Sequence, residues 1–267
     1  MWPARLSATG PEGLGVQLAV MAAATSAQSE PAPMGELARL AGVVWSPGTA
    51  FRDIVARPRW WPPLVIVVLA SLVLTYSFTQ RVGWERFFRQ QAETNSRMRD
   101  LPADQREQTV ATQIRVGPYI SYAAVAVGFP IMALATAGVF LLLFRTVFGA
   151  DLSFRQALAI VCYSWIPLLF GTVMALAVML LKNPDEFDLQ YPTLTNIGAF
   201  LEPASTPKWL LSLGTSIDIF TIWVLILLAT GFSAASRKIS WGSAFAGVMG
   251  TWAVYVRVKM GWATAFS

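Results

Sequence analysis

The sequence has no histidine and a single cysteine, Cys162, among its 267 residues. Zinc sites built on His or Cys, His-dependent acid–base triads and intramolecular disulfides are excluded on residue supply alone. Catalysis would have to rest on carboxylates, hydroxyls or amines. Charge is scarce too: 13% of residues are charged, 55% are hydrophobic, and the mean hydropathy is +0.52. A soluble domain carries about 25% charged and about 45–50% apolar residues, so a water-soluble globule is a poor fit. Glycine-rich phosphate loops, paired catalytic carboxylates, a serine nucleophile elbow and metal-ligand spacings are all missing. Neither a cofactor nor an enzymatic activity is expected.

What is abundant is apolar sequence in long runs. At roughly 20 residues per bilayer crossing, the runs supply five spans: 62–79, 119–144, 157–181, 209–230 and 241–255. The expected fold is all-α, an integral membrane bundle of five transmembrane helices with amphipathic surface helices, with the membrane domain occupying residues 62–262. Residues 1–33, rich in Ala, Gly, Ser and Pro, form a separate zone. The zone reads as a flexible tail, or as a start placed upstream of a true beginning at Met21 or Met34; a signal peptide cleaved near Ala27 fits less well, because Gln17 interrupts a Leu-poor stretch. Residues 34–61 are amphipathic and Arg-rich. Ser46 and Pro47 suit an N-cap and a first helical residue, and Phe51, Ile54 and Val55 share a face that Arg52, Asp53 and Arg57 avoid, as in a helix lying in the headgroup region or packed under the bundle. Trp60, Trp61, Pro62 and Pro63 mark the entry into the membrane. The polar connection 81–115 reads as one or two surface helices broken near Pro102.

Small residues recur at helical spacing: Ala124 with Gly128, Ala133 with Ala137, Gly171 with Ala175, and the seam Gly242, Ala246, Gly250. Such faces let helices approach closely in lipid, and the last seam is expected to meet another helix. The 20 basic and 15 acidic residues give a charge of +5. The basic residues sit at the ends of apolar runs, as membrane topology requires, and form no stripe with interleaved aromatics, so nucleic acid is not an expected partner. Arg145 and Arg155 follow the second span, Arg237 and Lys238 the fourth, whereas Asp185, Glu186, Asp188 and Glu202 lie between the third and fourth. The positive-inside rule then puts the N terminus in the cytoplasm and the C terminus outside, against which Arg257 and Lys259 at the outer end of the fifth span are a conflict.

The most costly residue is Asp218, near the middle of the fourth span, where an ionised carboxylate costs about 2.5–3.5 kcal/mol on insertion scales. Gly214, Thr215, Thr221 and Ile222 share its face. The face reads as a titratable intramembrane site or as an interhelical clasp. A second candidate is the run CYSWIP, Cys162–Pro167, in which Tyr163 and Ser164 offer hydroxyls and Pro167 frees a carbonyl near Tyr163. A polar break of this kind builds sites in transporters and also simply bends helices, and Tyr163 or Ser164 is a candidate partner for Asp218. Cys162 itself, in an apolar span, is expected to be inert.

The lead-in WSPGTAFRDIVARPRWWPPL, Trp45–Leu64, the segment LSFRQALAIVCYSWIPLL, Leu152–Leu169, and DIFTIWVLILLATGFS, Asp218–Ser233, followed by Arg237 and Lys238, resemble the Yip domain (Ypt-interacting-protein) family of five-span membrane proteins, in its prokaryotic form. CYSWIP is similar to a Tyr-Ser-x-x-Pro element of that family, which carries over to Tyr163, Ser164 and Pro167. The resemblance implies a cytoplasmic N terminus, five spans and an outer C terminus, in a bacterial cytoplasmic membrane. The eukaryotic members bind Rab-type GTPases through longer N-terminal regions, and the short lead-in here does not support that transfer. Two functions compete: a non-enzymatic scaffold, accessory subunit or assembly partner that contacts the bilayer and other membrane proteins or itself, and a small transporter or channel using Asp218 with Tyr163 and Ser164.

Overall fold

The computed structural model describes residues 33–183, 193–202 and 205–265. The acidic group Asp185, Glu186 and Asp188, and nearly all of the segment 1–33, lie outside the described residues. The chain divides into two units, Met1–Met34 and Gly35–Ser267, and the second is described below.

The lead-in forms two short helices, α1 (Glu36–Trp45) and α2 (Pro47–Ala56), the latter opened by the predicted proline. Helix α3 (Trp61–Arg81) carries prolines in its first turn, where a missing N–H costs nothing. Gly83, at φ 85° in the left-handed region that glycine alone enters without strain, turns the chain into α4 (Trp84–Thr94). After the single turn α5 (Ser96–Arg99) comes α6 (Ala103–Ala123), which passes through a π-helical turn, Ala124–Gly128, into α7 (Phe129–Thr146). Pro130 has no N–H for the carbonyl of Ala126, and the helix widens at that point. Gly149, at φ 61°, makes the next turn, and a capping box between Ser153 and Gln156 starts α8 (Phe154–Ser164). Helix α9 (Pro167–Leu181) follows, then a 3₁₀ turn (Ile197–Phe200), α10 (Lys208–Ser216), α11 (Ile219–Ala235) and α12 (Trp241–Ala265). There is no strand among the described residues, only an isolated bridge between Asn196 and Asp218. The protein is an all-α membrane bundle.

Among the described residues, three helices are long and apolar enough to cross a membrane: Trp61–Arg81, Ala103–Thr146 and Phe154–Leu181. The first and third match the expected spans. The second is longer than expected. Residues 103–115 are not a detached surface element but the polar start of a continuous helix of 44 residues. The fourth apolar stretch, expected as one helix, is broken: α10 ends at Ser216 and α11, an apolar helix of 17 residues, begins at Ile219. Two features stop the first helix. Asp218 prefers to cap a new helix rather than sit inside one, and the backbone of 195–197 pairs with the break through Ile197 N–H to Ile217 O and Ile219 N–H to Thr195 O. The fifth stretch is a helix of 25 residues that carries Arg257 and Lys259 beyond Tyr255.

The core is organised around α8, where every residue from Ala157 to Ser164 is buried. A helix that is apolar all round has no outward face, and α8 is enclosed by α2, α7 and α11, with α1 and α3 alongside. Phe144 and Phe232 stack with centroids 4.5 Å apart, and Phe140 leans on both. Phe51 of α2 and Ile160 of α8 meet over Gly231 of α11. A smaller cluster, Phe78, Trp84 and Met179, joins α3, α4 and α9, and Arg81 donates to the carbonyls of Met179 and Leu180 at the end of α9.

Candidate functional site

The six residues singled out in the sequence fall into two polar groups. Among the described residues no hydrogen bond joins them.

The first group surrounds Tyr163. The α8–α9 junction bends as Pro167 requires: Trp165 and Ile166 N–H groups donate to the carbonyls of Cys162 and Tyr163, three residues back, and Pro167 opens α9. The bend leaves Tyr163 fully buried at the end of α8, where its hydroxyl donates to Glu36 Oε2 at 2.6 Å. Glu36 begins α1, so the contact joins the lead-in to the bundle. Arg39, one turn later and 2% exposed, donates through Nε to Asp53 Oδ2 of α2 at 2.7 Å and lies 3.4 Å from Glu36 Oε1. Arg59 reaches the same Glu36 oxygen at 3.3 Å, and Arg57 lies 3.8 Å from Asp53. Burial opposes the charge on Arg39, but its hydrogen bonds to Asp53 and Tyr163 and the nearby Asp53 and Glu36 carboxylates outweigh this and hold its pKa above the ordinary value. Ser164 is buried beside this group, and its hydroxyl has no partner among the described residues.

The second group surrounds the break between α10 and α11. Asp218 Oδ1 accepts from the backbone N–H groups of Phe220 at 2.8 Å and Thr221 at 3.3 Å. It is the N-cap of α11, where backbone donors and the positive end of a helix dipole stabilise the carboxylate. Thr215 Oγ1 and Ser216 Oγ both donate to Ser212 O, closing the last turn of α10. Into this turn comes Lys259 of α12, whose ammonium donates to Ser216 Oγ at 2.9 Å, Thr215 Oγ1 at 3.1 Å and Ser212 O at 3.4 Å. The loop approaches closely: an added Cβ at Gly198 would lie 2.6 Å from Thr215 Cγ2, and one at Gly214 would lie 3.0 Å from the Gly198 nitrogen. Glycine is needed at both positions.

The structure therefore partners Tyr163 with Glu36 rather than with Asp218, and Thr221 meets Asp218 through its backbone N–H rather than its hydroxyl. Glu36, Arg39, Lys259 and Asn196 were not legible as site residues. Glu36 and Arg39 carried a weak signal in their three-residue spacing, and Lys259 carried one as a cation out of place at the outer end of a span.

A family model for the Yip1 domain matches residues 41–258. The chain belongs to the Yip1 domain family. No curated protein and no solved structure matches it. The Yip1 domain match takes in Tyr163, Ser164, Pro167, Thr215, Asp218 and Thr221. Glu36 and Arg39 precede it, and Lys259 follows its last residue.

Proposed function

We propose that this Yip1-family membrane protein acts as a non-enzymatic scaffold, accessory subunit or assembly partner of a membrane complex. Its partners are the bilayer and either other membrane proteins or a second copy of itself. The setting that fits its charges is a bacterial cytoplasmic membrane crossed five times, with the N terminus inside and the C terminus outside. The observation that carries the reading is the outward seam on α12. Gly242, Ala246 and Gly250 are exposed, and a Cβ added at Gly242 or Gly250 would meet nothing within 4 Å. Small residues with no helix against them in the single chain are suited to close approach by a helix from elsewhere. Gly171, Gly214 and Gly231, by contrast, are filled by their own chain.

The competing reading, a small transporter or channel working through Asp218, draws support from the broken fourth stretch, since discontinuous helices build sites in transporters. The use of the carboxylate as a helix cap favours assembly. Extraction in mild detergent tests the proposal. The wild-type chain is expected to elute with a stoichiometric second protein or a second copy, and the G242L/G250L variant is expected to elute alone with an unchanged unfolding midpoint. A wild-type chain eluting alone, together with flux in vesicles that D218N abolishes, would favour transport.

A further inference from the structure

The break between α10 and α11 holds a charge that the assembly reading leaves unused. Lys259 comes from the far end of α12 and is half-buried, and its ammonium meets three neutral oxygens. Among the described residues no carboxylate lies within ion-pair distance of it. Arg81 likewise donates to the carbonyls that end α9, but the setting of Lys259 differs. It lies where one apolar stretch is interrupted, and two of its acceptors are hydroxyls rather than carbonyls. A fourth oxygen belongs to the same turn. Ser212 is 8% exposed, and its Oγ has no hydrogen-bond partner among the described residues.

These oxygens set the class of ligand. The Ser212 carbonyl and the Thr215 and Ser216 hydroxyl oxygens converge with lone pairs on one point, so they attract a cation and repel an anion. The carbonyl end of α10 adds the negative end of a helix dipole. The set contains no carboxylate, whereas divalent ions are held by carboxylates; neutral carbonyl and hydroxyl oxygens at the end of a half-helix suit a monovalent ion. We infer that the break in the fourth apolar stretch is an oxygen-lined site for a small monovalent cation, and that its standing occupant is the chain's own Lys259 ammonium.

Removing the tethered occupant makes the site accessible to a free ion, which then stabilises the folded state by mass action. The test is the unfolding midpoint of the purified full chain in NaCl against choline chloride at matched ionic strength, choline being too large to enter. Wild type is expected to be blind to the exchange. K259A is expected to unfold several degrees lower than wild type in choline and to recover most of the loss in sodium or ethylammonium. K259M, whose side chain fills the same space without charge, is expected to show no recovery, as is the triple variant K259A/T215V/S216A, which removes both hydroxyl acceptors. A K259A midpoint equal in sodium, ethylammonium and choline would overturn the inference and leave Lys259 a plain helix cap. Failure of K259A to fold in all three salts would overturn it equally, because sodium is expected to restore the fold.

Discussion

The hydroxyl of Tyr163 donates to the carboxylate of Glu36 across 2.6 Å, tying the buried end of α8 to the first residue of α1 in the amphipathic lead-in. Tyr163 has no exposed surface, and its acceptor is a carboxylate whose side chain is 29% exposed. Hydrogen bonds of that kind contribute about 1.5–3 kcal/mol. Y163F is expected to lower stability by about that amount, read from thermal or denaturant unfolding in detergent. E36Q should cost at least as much, because an amide oxygen still accepts the phenol proton but the charge that Arg39 and Arg59 meet is lost. Equal stability of Y163F and wild type would show that the lead-in is held by other contacts, its apolar face and the Gln156 side chain on the Val55 carbonyl among them.

Arg39 sets a sharper demand. Its guanidinium joins Asp53 of α2 to Glu36 of α1 from a buried position, 2% exposed. Removing one partner of a buried ion pair costs up to about 3–5 kcal/mol when the other is left uncompensated; here Asp53 keeps Arg57 and Glu36 keeps Arg59 beside it, so R39M should be destabilised by less than that. Because part of the cost comes from the carboxylate that Arg39 leaves, R39M/D53L should recover some of it. A double variant no better than R39M would place the stabilisation elsewhere.

Asp218 separates a cap from a titrating site. Asn caps helices about as well as Asp, and Ala does not. D218N is expected to keep wild-type stability, whereas D218A should lose about 1 kcal/mol, measured by the same unfolding assay. Loss of stability in D218N equal to that in D218A would mean that the charge, not the acceptor oxygen, matters at this position.

The glycines give a matched pair. A Cβ at Gly231 would lie 2.5 Å from Ile160 Cγ2 and 3.0 Å from Phe51 Cδ1, whereas one at Gly250 meets nothing within 4 Å. Overpacking of this kind costs about 1–3 kcal/mol, so G231A should unfold well below wild type and G250A should not. Similar midpoints for the two would contradict the packing of α2 over α11.

Much of the fold was legible from hydrophobicity alone. The runs that became α3 and α8–α9 are too long and too apolar for anything but buried or membrane helices, and the roles of Pro47, Pro62 and Pro167 followed from the missing proline N–H. Hydropathy could not show that the fourth run breaks, because Ile217 and Ile219 keep it apolar across the break. What interrupts it is backbone pairing with 195–197, a contact distant in the chain. The partner of Tyr163 was hidden for a similar reason. Glu36 lies 127 positions away, and only the docking of the lead-in against α8 brings the two together. Arg257 and Lys259, an unresolved conflict in the charge pattern, separate in the structure: Arg257 stays exposed, while Lys259 turns into the break. The seam at Gly242, Ala246 and Gly250 was expected to meet another helix, and among the described residues nothing lies within 4 Å of a Cβ added at Gly242 or Gly250.

That seam gives the most direct test of the assembly account. With cysteine placed at position 250 and the native Cys162 buried away from oxidant, mild oxidation of intact membranes is expected to convert G250C into a cross-linked species containing a second copy or a partner carrying its own thiol, while the wild-type chain, with Cys162 alone, gives none. A G250C chain that stays uncross-linked, both to oxidant and to a short thiol-anchored photo-cross-linker that needs no thiol on the partner, would contradict the account.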